Sequence, residues 1–518
     1  MASDSIKASA RSGVLWGAGS QFVCLGLQLL QSVIAARILG PDKYAEIAVI
    51  YVVTAIAVPL AQSGLGVSII YFQERDPRKI AQVQSLSVAF ATVAALAVFL
   101  SAGPIADYFR LEGARLLIQI SAGTIWLSAI SSVWQSILKR SLIFRDVEVA
   151  YLASYSVGFV AVIALLYSGA GAASVVIGQT LCAALNAALL QLALHKRGIA
   201  CGLALPGPGV RAHLAYGGMN AISALASVIG DRVDAMIIGG RFSAAAFGTY
   251  GLFTRIITAL STPIQRLKTS IEFPTYARII SERPRLRRAF EKALGLSLLL
   301  VLPVFLGIAS VADLALSVGL GPQWVGYAPV LAIMCVYGAV RVASSCSTPL
   351  FMAAGLVRRA LYLVFARLAL MPVVILGAIA TSPTLVSVAL AATAAQVVVL
   401  VANYLLFVRP VLGACAGALA VTALRPLSAA LLMLGAVALV RGQLEAAPDA
   451  LALAAAVATG ALVYCAGNLL LNRGVVRECL YIVRPLLETM FGANRGGREA
   501  GDPDAPAPAP AAKLADQR

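Results

Sequence analysis

Between Asn220 and Asp234 an apolar run is interrupted by Asn220, Ser223, Ser227, Asp231 and Asp234, at offsets of 0, 3, 7, 11 and 14. An α-helix turns once in about 3.6 residues, so these groups share one helical face. Arg232 stands about 100° round the same helix from Asp231. A charged side chain near the middle of a membrane-spanning helix costs roughly 2.5–3.5 kcal/mol, so it faces a partner or a water-filled space. Two kinds of chemistry suit the cluster. Aspartate and arginine can neutralise each other and lock two helices together. Alternatively, the face is one polar wall of a translocation cavity, in which guanidinium grips anionic oxygens.

Similar stripes recur along the chain. Gln21, Gln28 and Gln31 share a face of the first apolar segment, and Gln179 and Asn186 share one of the sixth. Arg341, Ser344, Ser345 and Thr348 form a stripe in the tenth. For an isolated Gln or Ser, hydrogen bonding between helices competes with ligand contact. Arg367 lies near a helix end, where snorkelling to lipid headgroups explains it. Arg232, Arg255 and Arg341 lie deeper and suit an anionic ligand. Signals for catalysis are missing: there is no G-x-x-x-x-G-K-[ST] phosphate loop, and His195 and His213 are the only histidines. None of the eight cysteines forms C-x-x-C. No catalytic residue, metal site or cofactor is expected, and the chain reads as a non-enzyme.

These groups must be positioned by helices in a bilayer. Of the 518 residues, 60% are hydrophobic and 12% charged, with a mean hydropathy of +0.88; a soluble domain carries about 25% charged residues. Apolar windows of about 20 residues recur fourteen times, predicting an all-α integral membrane protein. Assigning loops to alternate sides places 29 Lys and Arg on the side of the N-terminus and 6 on the other. That asymmetry makes both termini cytoplasmic in a multi-pass protein. It also explains the net charge of +17 without nucleic acid as a partner.

The spacing divides the chain into a cytoplasmic tail (1–13), a first six-helix lobe (14–204), a Pro/Gly linker (205–212) and a second six-helix lobe (213–408). An added helix pair (409–472), a cytoplasmic amphipathic helix (473–494) and a disordered Pro/Ala tail (495–518) follow. Arg37-Ile-Leu-Gly-Pro-Asp-Lys-Tyr44 after the first span is echoed by Gly240-Arg-Phe-Ser-Ala-Ala-Ala-Phe-Gly-Thr-Tyr250 after the seventh, as expected of two related halves around a midplane cavity.

Several stretches, in this order, resemble the polysaccharide-transport (Wzx-type) branch of the multidrug/oligosaccharidyl-lipid/polysaccharide (MOP) exporter superfamily. They are Ala36-Arg-Ile-Leu-Gly-Pro41, Asp231-Arg-Val-Asp234, Gly248-Thr-Tyr250, Phe273-Pro-Thr-Tyr276 and Gly321-Pro-Gln-Trp324. The resemblance runs from about residue 10 to about 410. It implies two lobes around a central cavity that opens alternately to each side of a bacterial inner membrane. The implied cargo is an undecaprenyl-diphosphate-linked oligosaccharide for exopolysaccharide or lipopolysaccharide synthesis. The implied partners are that lipid, membrane lipids and other polysaccharide assembly proteins.

By the same resemblance, Arg232, Arg255 and Arg341 would hold the diphosphate. Gln21, Gln28, Gln31, Asn186, Asn220, Ser223, Ser227 and Ser345 would meet sugar hydroxyls. Asp231 and Asp234 would tune Arg232 or couple H⁺ or Na⁺, and Arg37 and Arg241, at outer helix ends, would serve release. A cation-coupled multidrug antiporter is the alternative from the same superfamily, and a polysaccharide polymerase is the alternative from another class.

Overall fold

The computed structural model describes residues 2–199, 202–205 and 207–472. The expected amphipathic helix 473–494 and the tail 495–518 lie outside the described residues. Among these residues every regular element is a helix. Eleven helices are long and apolar enough to cross a membrane. One of them, within the 61-residue helix Ala2–Gln62, is two spans: Gly40 (φ 73°, ψ 174°) breaks it, and Pro41 starts the second part. Only a glycine adopts that conformation without strain. Arg211–Arg241 and Ala244–Ile279 are also long enough to span, and the charges of the Asp231 region and of Arg255 are what lower their hydropathy. Counting the kinked helix twice and adding these two gives the fourteen expected spans.

Spans three to six are Pro77–Leu100, Ala114–Arg140, Phe144–Tyr167 and Ala173–Lys196, and with the kinked helix they form the first lobe. Spans seven and eight are Arg211–Arg241 and Ala244–Ile279. Spans nine to twelve, Arg283–Ser310, Ala328–Ser345, Val357–Thr381 and Leu385–Asn403, complete the second lobe. Spans thirteen and fourteen, Ala416–Gln443 and Asp449–Leu471, pack on each other and on the ninth. Tyr464 donates to the carbonyl of Leu299 at 2.9 Å, and Arg441 pairs with Asp313 at 2.5 Å.

The two faces of the molecule differ. On the face opposite the basic loops, one apolar core runs through both lobes and includes Tyr44, Phe109, Phe247, Phe305 and Trp324. Tyr44 and Trp324 meet edge-on with ring centroids 6.1 Å apart, and Phe109 stacks on Phe247 at 5.1 Å. The Arg37 guanidinium donates to the carbonyl of Val318 at 2.8 Å, and the Gln323 amide returns a bond to the carbonyl of Arg37 at 3.3 Å. Thus Ala36–Pro41 and Gly321–Trp324 dock on each other across the lobes. Gly248 makes a neighbouring close approach possible, of span eight to the start of span two, because a Cβ there would strike the Pro41 carbonyl and lie 2.8 Å from the Ala45 nitrogen.

On the basic face each lobe has its own core, one around Leu65, Ile137 and Leu194, the other around Tyr276, Phe290 and Leu412. Contacts do cross from the first lobe to the start of span seven. Ser68 shares a 2.8 Å hydrogen bond with His213, and Tyr71 stacks on Tyr216 at 4.4 Å. Beside it, burial opposes the charge of Glu74, but the Asp76 N–H and the Lys79 ammonium hold its carboxyl below the ordinary range. Further along span seven, Met219, Asn220, Ile222, Ser223 and Ser227 are exposed. The lobes therefore share one core at one face and keep separate cores at the other.

Gly248→Ala forces a methyl into fixed backbone and loses about 1–3 kcal/mol of the shared-core arrangement. Disulfide cross-linking between cysteines placed at positions 37 and 318 should fall several-fold in that background; an unchanged yield would show that Gly248 does not set the approach.

Candidate functional site

Span seven shows different charges to the two lobes. Asp231 faces the second lobe, where its carboxylate takes Arg341 at 3.1 Å and Arg367 at 2.8 Å. The Tyr250 hydroxyl donates to Asp234 at 2.5 Å, and that side chain is buried. Arg232, one residue on from Asp231, turns toward the first lobe. It lines a cavity of about 290 Å³ between the lobes together with Gln28, Tyr51, Thr54, Thr254 and Arg255. Among the described residues Arg232 forms no hydrogen bond or ion pair.

Arg255 reaches from span eight across to the first lobe. Its Nε donates to Ser32 at 2.7 Å, and its guanidinium lies 3.8 Å from the centroid of the Tyr51 ring. A cation over an aromatic face gains about 0.5–2 kcal/mol, more as water is excluded. The contact fixes the plane of the guanidinium at the mouth of a second chamber of about 330 Å³, inside the first lobe. Gln28, Tyr51, Thr54 and Arg255 line both spaces, which are therefore adjacent.

The residues expected to act together separate into groups. Arg232, Arg255, Gln28, Gln31 and Asn186 line the two adjacent chambers. Arg341 belongs instead to the ion cluster of the second lobe. Asn220, Ser223 and Ser227 stand on the exposed half of span seven, where Ser223 donates to the carbonyl of Met219 at 3.0 Å. Ser345 donates to the carbonyl of Val342 in its own helix at 2.8 Å, and neither it nor Gln21 is among the residues lining the chambers. Arg37 belongs to the face with the shared core, and Arg241 is exposed at the end of span seven.

The sequence reading missed Arg367. Periodicity put it near a helix end and suggested snorkelling, whereas the fold gives it the nearer oxygen of Asp231. It also missed Tyr151, Tyr155 and Phe159, whose spacing of four residues was visible but reads equally well as packing. Counted together, four guanidiniums (Arg232, Arg255, Arg341, Arg367) stand against two carboxylates (Asp231, Asp234), so the region carries excess positive charge. The cavity between the lobes has two arginines and no carboxylate in its lining. Such a site can attract and orient an anion with several oxygens.

Asp231→Asn leaves Arg341 and Arg367 without their shared counter-charge and should cost roughly 2 kcal/mol. Arg232→Gln removes no fixed partner and should leave stability almost unchanged. Melting of the detergent-solubilised variants distinguishes them; equal losses would mean that Arg232 also has a structural bond.

Residues 34–329, more than half of the chain, match the family model described as polysaccharide biosynthesis protein. The lipopolysaccharide biosynthesis protein WzxC of Escherichia coli (strain K12) is 22% identical over 413 residues, covering 79% of this chain and 83% of that protein. The succinoglycan biosynthesis transport protein ExoT of Rhizobium meliloti (strain 1021) is 25% identical over 333 residues, covering 64% and 66%. Among solved structures, the lipid II flippase MurJ in an inward closed conformation superposes with a TM-score of 0.70 at 13% identity, covering 92% of this chain and all of that one. An inward-facing multidrug resistance MATE family transporter of the MOP superfamily gives 0.61 at 16% identity, covering 75% and 96%. Those likenesses carry the fold, and the family match carries the kinship: the chain belongs to the polysaccharide biosynthesis protein family.

Proposed function

We propose that this protein is a flippase that moves an undecaprenyl-diphosphate-linked oligosaccharide from the cytoplasmic to the outer leaflet of a bacterial inner membrane. The observation that carries the reading is Arg232. It is a guanidinium without a fixed partner, beside Arg255, in a cavity between two lobes. A diphosphate and its sugars cannot cross about 30 Å of hydrocarbon unaided. Bidentate bonds from arginine to phosphate oxygens would replace the lost hydration, while the lipid tail stays in the bilayer. The basic face is the cytoplasmic one by its Lys and Arg excess, so the face at which the lobes keep separate cores would meet the leaflet in which the lipid is loaded. Transport then requires the seal of Tyr44, Trp324 and Arg37 to part while the other face closes. Asp231 and Asp234 are candidates for H⁺ or Na⁺ coupling, since protonating Asp231 would release Arg341 and Arg367 to the cargo or to water.

The antiporter reading calls for carboxylates in the cavity between the lobes, and the lining there supplies arginines instead. In vesicles containing the purified protein and a diphosphate-linked oligosaccharide lipid, wild type should expose the lipid to an external glycosidase. Arg232→Ala and Arg255→Ala should each slow exposure about tenfold or more. Export of a cationic dye without lipid exposure by wild type would replace the flippase with an antiporter.

A further inference from the structure

The chamber inside the first lobe has walls that the diphosphate does not use. Span five turns Tyr151, Tyr155 and Phe159 into it, each four residues from the next and so stacked along one helical face. All three are partly exposed, and the Tyr151 and Tyr155 rings lie 6.1 Å apart, tilted by 38°. Gln31 of the first span, and Gln179 and Asn186 of the sixth, bring side-chain amides to the same chamber. The Oδ1 of Asn186 is buried with no hydrogen-bond partner, a costly state that a donor in the chamber would relieve. Arg255, at the mouth, is the one charged side chain in the lining.

A space held open for packing alone would close on apolar groups. This one joins an aromatic ladder to several amides, and a pyranose ring matches it: its C–H face lies on aromatic rings while its hydroxyls donate to and accept from amides. The volume, about 330 Å³, corresponds to roughly eleven liquid waters, the scale of a short sugar rather than a long chain. Arg255 is the one cation in the lining and is shared with the diphosphate site, so no further cation is left to offset a sugar carboxylate.

We propose that the first-lobe chamber is a subsite for an uncharged sugar, stacked on Tyr151 and Tyr155 and hydrogen-bonded by Gln179 and Asn186. The subsite rests on the flippase reading, because Arg255 joins it to the diphosphate grip. A cargo held by its diphosphate at Arg232 and Arg255 would direct its attached sugar past Gln28 and Thr54, which line both spaces.

The test is competition binding to the full-length protein in nanodiscs. It compares an undecaprenyl diphosphate bearing one neutral hexose, the same lipid bearing a hexuronate, and the bare diphosphate lipid. Wild type should prefer the hexosyl lipid over the other two. Tyr155→Ala should weaken the hexosyl lipid about five- to tenfold and change the bare lipid less than about twofold, and Tyr155→Phe should keep the preference. If Tyr155→Ala does not fold, Asn186→Leu should give the same selective loss. Arg232→Ala should weaken all three lipids alike; if it does not, while Tyr155→Ala still acts on the hexosyl lipid alone, the diphosphate assignment falls and the sugar subsite stands. A folded Tyr155→Ala that weakens hexosyl and bare lipids equally, or neither, overturns the subsite. Tighter binding of the hexuronate lipid than the hexosyl lipid overturns its uncharged character, and binding of no lipid by wild type overturns both readings.

Discussion

A guanidinium at membrane depth must be given oxygen atoms, and this need organises the centre of the molecule. The fold meets it with fixed partners for three arginines. Asp231 serves Arg341 and Arg367 together, and Ser32 with the Tyr51 ring serves Arg255. Arg232 is left on the wall between the lobes without such a partner. Because Asp231 and Arg232 are neighbours on one helix, a single span divides the labour. One side ties the second lobe together, and the other presents charge to the cavity.

The two faces then take different roles from similar materials. Where Ala36–Pro41 meets Gly321–Trp324, the joint is apolar and is registered by backbone carbonyls. Gly248 allows the neighbouring helices to pack tightly beside this joint. On the basic face the lobes keep separate cores, with His213, Tyr71 and Tyr216 bridging to the first turns of span seven. Two self-contained cores joined by a separable seam suit rigid-body rocking around a fixed site.

Much of the fold was legible because it follows from one-dimensional patterns. Hydropathy located the spans, and the Asn220–Asp234 spacing marked the helix that carries Asp231 and Arg232. The motifs behind the family resemblance turned out to be largely the interlobe joint, which explains why their order carried information. Partner choice was not legible. Periodicity tells which residues share a face but not which helix that face meets. For that reason Arg367 was read as snorkelling and Arg341 was grouped with Arg232. Ser345 shows the same limit: its stripe was real, but its hydroxyl turns back to its own helix. Tyr151 and Tyr155 gave a signal no different from ordinary packing until the chamber beside them was seen.

The most direct measurement is an experimental structure of the protein in nanodiscs with a bound diphosphate lipid. The account predicts density for both phosphates between the lobes, with phosphate oxygens within hydrogen-bond reach of Arg232 and Arg255 and with Asp231 still holding Arg341 and Arg367. Phosphate density elsewhere, with Arg232 folded back onto Asp231 or Asp234, would contradict it.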